Sequence, residues 1–165
     1  ERTNLIELKQ QLLNELISHV SQELETVLAA ASAAHAASTD EESVAETQYD
    51  TLAIEAGYLA EGQSQRANAL AQEKLALESL TEQTACRGHV RLGSLAQLAN
   101  DEDNNAWFYI APACAGYRTT IDGHEITVIT PESPMGAALV GKAIDDEIEI
   151  CLANQNITDE LIAIG

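Results

Sequence analysis

Residues 24–52 read LETVLAAASAAHAASTDEESVAETQYDTL, and the change of residue type in the middle of this run decides the fold of the N-terminal half. Upstream, residues 5–37 hold neither Gly nor Pro, and Leu13, Leu16, Val20, Leu24, Val27, Ala31 and Ala34 recur at intervals of three and four. That spacing predicts one long helix with an apolar seam, because residues three and four apart stand on one helical face. The seam shrinks from Leu and Val to Ala, so a partner helix can approach more closely toward its end. Ser38, Thr39 and Asp40 then offer three side chains suited to capping a new helix, and Glu41 and Glu42 follow where carboxylates favour the helix dipole. A second helical run is predicted from about residue 42 to residue 80, with Ala45, Tyr49, Leu52, Ala56, Leu59, Gln63, Arg66, Leu70, Lys74 and Leu77 on its seam. Gly57 and Gly62 each cost about 1 kcal/mol in a helix interior, but no Pro or turn cluster accompanies them, so the run is predicted unbroken. Two such helices joined by a few residues must run antiparallel, and at 1.5 Å per residue they make a rod of roughly 50 Å.

After residue 83 the pattern changes to short runs rich in β-formers: residues 89–92, 106–110, 125–130, 147–152 and 160–164. Residues 101–105 (Asp-Glu-Asp-Asn-Asn) and Asp122-Gly123 are the punctuation of hairpins. Between the third and fourth runs, Ser133 supplies an N-cap, Pro134 a first helical position and Gly141 a stop, so residues 133–142 read as a short helix. The predicted class is α+β. Residues 1–84 form an antiparallel coiled-coil hairpin with its tip near residues 38–43, and residues 85–165 form a small antiparallel β domain with one short helix.

Composition narrows the function. The hydrophobic content of 45 % is that of a folded chain, whereas aromatics make up only 4 %. The net charge of −19 repels phosphate backbones and anionic lipid and suits a basic groove on another protein. Strong direct nucleic-acid binding and membrane association are therefore not expected. The same acidity also fits a simple role in solubility. Cys86, Cys114 and Cys151 are too widely spaced for a Cys-x-x-Cys site and read as reduced cytosolic thiols. No stretch reads as a membrane span or an export signal. Cys86 and His89 make a lone pair of potential metal ligands without a second pair, and no nucleophile triad or Gly-rich phosphate loop is recognisable. Chemistry of the chain's own is not indicated, and the chain is not expected to be an enzyme.

Three stretches carry a family resemblance: Val90-Arg91-Leu92-Gly93-Ser94; the run from Ile129 through Thr130-Pro131-Glu132-Ser133-Pro134-Met135-Gly136-Ala137-Ala138-Leu139-Val140-Gly141 to Lys142; and Asp145-Asp146-Glu147-Ile148-Glu149-Ile150. Together with the hairpin before them, they resemble the bacterial Gre transcription elongation factors (GreA/GreB) over nearly the whole chain. The resemblance implies an FKBP-like C-terminal domain that docks on RNA polymerase, with Ser133, Pro134, Met135, Gly136, Gly141 and Lys142 as the polymerase-binding segment. It also implies a cytoplasmic protein whose hairpin enters the polymerase secondary channel. Tip carboxylates there help hold a Mg2+ ion and stimulate hydrolysis of backtracked RNA by the polymerase's own active site. On this sequence Asp40 and Glu42 are the implied assisting groups, with Asp40, Glu41 and Glu42 the implied ligands of a Mg2+ shared with the polymerase and no cofactor of the chain's own. A hard divalent ion asks for oxygen ligands of this kind.

Two departures qualify what the tip does. Family cleavage factors carry Asp, two residues, then Glu-Asn-Ala-Glu-Tyr; without a gap, Asp40 and Glu46 match but the second tip carboxylate falls on Ser43. The hairpin also offers only Arg2, Lys9, Arg66 and Lys74 to hold displaced RNA. Two alternatives therefore stand beside the cleavage factor: a non-cleaving channel regulator or Gre competitor, and a structural coiled-coil adaptor. Prolyl isomerase activity, raised by the FKBP-like resemblance, is not expected. Trp107, Phe108, Tyr109 and Tyr117 are the only aromatics of the C-terminal part, and alternation splits those on one strand between two faces.

Overall fold

The computed structural model describes residues 4–39, 47–80, 88–101 and 105–165. The chain divides into two compact units, Glu1–Ile17 with Ala76–Gly165, and Ser18–Leu75.

Helix α1 spans Leu5–Thr39 and α2 spans Thr47–Glu78. In the Ser18–Leu75 unit the two run antiparallel, and Arg66 on α2 meets Glu23 on α1 at 2.6 Å. Gly57 and Gly62 lie within α2 without breaking it, as the absence of Pro led one to expect. Ser38 and Thr39 belong to the last turn of α1 rather than opening the next helix. The buried positions refine the predicted seam. Val20 and Ala34 are buried on α1, and Ala60, Ala67 and Leu70 on α2. Ala67 therefore takes the seam place predicted for Arg66, which instead stands exposed on the flank. A narrow seam admits a methyl group where a guanidinium would have to shed water.

The larger unit is built on one mixed six-stranded sheet in the order β3-β4-β2-β1-β6-β5. Its strands are β1 (Leu95–Leu98), β2 (Ala106–Ile110), β3 (Arg118–Ile121), β4 (His124–Ile129), β5 (Glu147–Leu152) and β6 (Gln155–Ile164), with helix α3 (Pro134–Leu139) between β4 and β5. Four of the five adjacent pairs are antiparallel, but β2 and β4 pair in parallel, Ala106 beside Glu125 through Ile110 beside Ile129. The predicted α+β class with an antiparallel β domain stands, except that the β2–β4 pairing is parallel. The segment between these two strands contains β3, which turns back at Asp122-Gly123 and delivers β4 alongside β2 in the same direction.

The strand predictions change as well. Residues 89–92 form no strand: Ser94 N–H bonds the Arg91 carbonyl at 3.0 Å and the Ser94 hydroxyl accepts from Arg91 N–H at 3.0 Å. This makes a turn that Gly93 completes at φ +84°. Val90 alone pairs outward, donating to the Lys142 carbonyl and accepting from Gly141 N–H. Strands β1 and β3 were both unannounced, and β6 begins five residues before the predicted start at residue 160.

One sheet face carries the main core, with Ala96, Leu98, Ile110, Ile129, Ile148, Ile150 and Leu161 buried beneath Leu139, Met135 and Ala138 of α3. The other face presents Leu95, Gln97, Trp107, Tyr109, Ile126 and Val128, opposite by strand alternation. The first turns of α1 reach this face: Lys9 Nζ donates to the Gly165 carbonyl at 3.3 Å, and Thr119 Oγ1 donates to Glu15 Oε2 at 2.9 Å. Leu8, Leu12 and Leu16, spaced by four, are almost wholly buried along this part of α1.

Candidate functional site

Two places hold the residues singled out by the sequence. The first is the turn between α1 and α2. Asp40, Glu41 and Glu42, together with Ser43, lie outside the described residues. Among the described residues no group of three or more His, Cys, Asp or Glu is placed to hold a metal ion.

The second is the segment around α3, where the local sequence explains the geometry step by step. Ser133 sits in extended conformation as the N-cap, its Oγ accepting from Gly136 N–H at 3.1 Å. The same hydroxyl donates to the Thr130 carbonyl at 2.7 Å, and Ser133 N–H reaches that carbonyl at 3.0 Å. Pro134 follows at the first helical position, where the missing N–H is no loss. Gly136 is buried, and a Cβ built there would fall on the Thr130 carbonyl oxygen. Val140 closes the helix and Gly141 takes φ +85°, open to L side chains only with strain. Lys142 N–H bonds the Leu139 carbonyl at 3.0 Å, and the Lys142 carbonyl receives Val90 N–H at 2.8 Å.

The six residues of the predicted docking segment are thus brought together, but they divide by task. Ser133, Gly136 and Gly141 are needed by the backbone, and Met135 packs against the core. The outward surface is made by Pro134, Ala137, Val140 and Gly141, all exposed. Exposed apolar side chains border it, with Val140 at 41 % and Ile144 at 49 %. Leu92 is also exposed, two residues from Val90, whose backbone pairs with Gly141 and Lys142. Leu92 and Val140 stand within the quoted motifs but were not singled out for docking, and Ile144 lies outside them, because exposure of an aliphatic residue beside a short helix has no periodic signal.

Charge surrounds this surface unevenly. Residues 143–165 contain six carboxylates and no Lys or Arg. Asp145, Glu147, Asp159 and Glu160, with Ala99, Asn100 and Thr158, line a shallow open groove of about 430 Å³. Its carboxylates are partly engaged within the fold: Asp159 Oδ1 accepts from Asn100 N–H at 3.1 Å and from Glu160 N–H at 2.8 Å. Such a surface repels nucleic acid and favours a basic protein. On the α1-facing side of the sheet, burial first and the Glu15 carboxylate second push the Tyr117 hydroxyl above its ordinary value. On the hairpin, the hydrogen bond to Glu23 leads the effects that hold the Arg66 guanidinium firmly protonated. No helix among the described residues is long and apolar enough to cross a membrane.

No protein-family model matches the chain, and no curated protein does. Among solved structures it is similar to the GreA factor homolog 1 (Gfh1) protein of Thermus thermophilus, at 19 % identity over 90 % of this chain and 94 % of that one, with a TM-score of 0.34. A structure described as the transcription factor Gfh1 gives 16 % identity over 93 % and 91 %, with a TM-score of 0.35. Gfh1 of Thermus aquaticus gives 20 % identity over 92 % of each chain, also at 0.35. These three structures are described as Gfh1, one of them as a GreA factor homolog, and at 16–20 % identity and TM-scores of 0.34–0.35 they assign neither activity nor partner to this chain.

Proposed function

We propose that this chain is a transcription elongation factor of the Gre kind, which binds RNA polymerase, lays its helical hairpin in the secondary channel and modulates cleavage of backtracked RNA. The observation that carries this reading is the conjunction, in one chain, of two long antiparallel helices joined through Asp40-Glu41-Glu42 and a capped α3 segment formed from the Gre-like run at residues 129–142. The exposed surface of Pro134, Val140, Gly141 and Ile144 supplies an apolar docking patch, and the surrounding carboxylates favour a basic rim on the partner. Asp40, Glu41 and Glu42 would hold a Mg2+ shared with the polymerase, since consecutive carboxylates are the donors a hard ion takes. Bound there, the ion would supply Lewis-acid activation of a water molecule, and the hydrolysis would belong to the polymerase.

The test combines binding with cleavage. Core polymerase should retain the chain, and stalled elongation complexes should release short RNA faster with wild type than with Asp40→Ala. Equal release with wild type, Asp40→Ala and polymerase alone rules out cleavage stimulation; failure of polymerase to retain the chain rules out the whole reading and leaves a structural coiled-coil adaptor. A second reading is favoured by Ser43, which stands where a tip carboxylate is expected. It is that of a channel-occupying competitor, and its signature is retention on polymerase with loss of cleavage by an added Gre factor.

A further inference from the structure

Strands β1 and β2 pair antiparallel, with Leu95 opposite Tyr109 and Ala96 opposite Phe108. One step further in this register Gln97 comes opposite Trp107, and alternation puts both on the face of Leu95 and Tyr109, turned away from α3. Facing residues on one side of an antiparallel pair hold their Cβ atoms about 5 Å apart, so the two polar side chains are neighbours. Both are more than nine-tenths buried, Gln97 at 7 % and Trp107 at 9 % exposure. Gln97 Nε2 and Trp107 Nε1 are each sealed from solvent, and neither reaches an acceptor among the described residues.

Buried N–H donors are almost always satisfied, and two orphans at adjacent places on one face call for a common explanation. The backbone around them is occupied by the sheet ladder, Leu95, Ile126 and Val128 on the same face offer no lone pair, and the Tyr109 hydroxyl on that face bonds neither donor. Both groups donate and neither needs a proton, so what is missing is a single small acceptor. An anion would have to be stripped of water against aliphatic side chains, whereas a neutral oxygen with two lone pairs meets both donors at little cost. We propose that one internal water molecule is bound between Gln97 Nε2 and Trp107 Nε1. It accepts from both and ties β1 to β2 on the face reached by the first turns of α1.

Trp107 is the chain's one tryptophan, so its indole N–H gives a single resonance in the 15N-labelled full-length protein. The expected result is a dipolar cross-peak from that N–H, and from the Gln97 side-chain amide, to water that tumbles with the protein. Gln97→Met, close in length but without the donor, should abolish the cross-peak at Trp107 while the backbone amide spectrum of the sheet is retained. Trp107→Phe gives the reciprocal reading at the Gln97 amide if the first variant does not fold. Absence of bound-water cross-peaks in wild type, or a Trp107 cross-peak unchanged by Gln97→Met in the folded protein, overturns the shared water.

Discussion

At Gly136 the α3 backbone passes directly over the Thr130 carbonyl, which already accepts two hydrogen bonds from Ser133. A methyl group there must push the helix off its cap, so Gly136→Ala should lose about 2 kcal/mol, in the range for overpacked sites. Ser133→Ala should lose about 1 kcal/mol through the cap alone. Urea unfolding checks both, and a Gly136→Ala midpoint equal to wild type would remove the close approach. Of these residues, Ser133, Pro134 and Gly141 were legible in the sequence, because capping, the first helical turn and a left-handed stop are local rules. Gly136 was not, since its need for glycine comes from a carbonyl that only the tertiary turn brings near. Tyr117 yields a prediction of pH dependence. Its raised pKa means that the folded state holds the phenolic proton more tightly than the unfolded chain does, so the stabilisation is complete below about pH 10 and is lost as pH rises through the folded value. Wild type should therefore lose more stability than Tyr117→Phe between about pH 9 and pH 11, measured as the difference in urea midpoint.

The elements divide in the same way. Strands β2, β4 and β5 were readable from alternation and flanking turns, and Trp107 and Phe108 indeed face opposite sides, the first on the α1-facing side and the second packed against the α3 core. Strand β3 could have been found by asking what pairs ahead of the Asp122-Gly123 turn. The early part of β6 is polar and exposed, with no apolar face for a pattern to show. In the hairpin, Ala60 and Ala67 lie seven apart in the seam, as do Leu70 and Leu77 on α2. The prediction placed Arg66 one position off because the small seam residue is less conspicuous than its long neighbour. This difference can be measured. Arg66→Ala breaks an ion pair whose side chains are 47 % and 40 % exposed, so solvent screening should hold the loss below about 0.5 kcal/mol. Ala67→Glu puts a carboxylate into the buried seam and should cost more than about 2 kcal/mol. Loss of helical circular dichroism on heating tests the order of the two; equal melting would return Arg66 to the seam.

For the whole molecule, the parallel pairing of β2 with β4 was the feature least accessible to sequence, because it is a choice between neighbours in space that alternation along one strand cannot record. The charge was legible from the start, and its consequences run in opposite directions for stability and for binding. A chain of net charge −19, with no base after Lys142, repels itself in the compact state. Raising NaCl from about 0.02 M to 0.5 M shortens the screening length well below the molecular dimensions and should raise the urea midpoint. On the proposed function, the same screening would remove the attraction between the carboxylates beside α3 and a basic rim on polymerase, so affinity for core polymerase should fall across that range through a slower association rate. Stopped-flow association and unfolding at matched salt concentrations test the pair. If stability rises while affinity stays constant, the exposed Val140 and Ile144 surface carries the docking and the acidic flank serves solubility; if stability rises and affinity falls, as expected for one charge acting in opposite senses on the two, Val140→Ser should weaken binding by speeding dissociation and leave the salt dependence of association unchanged.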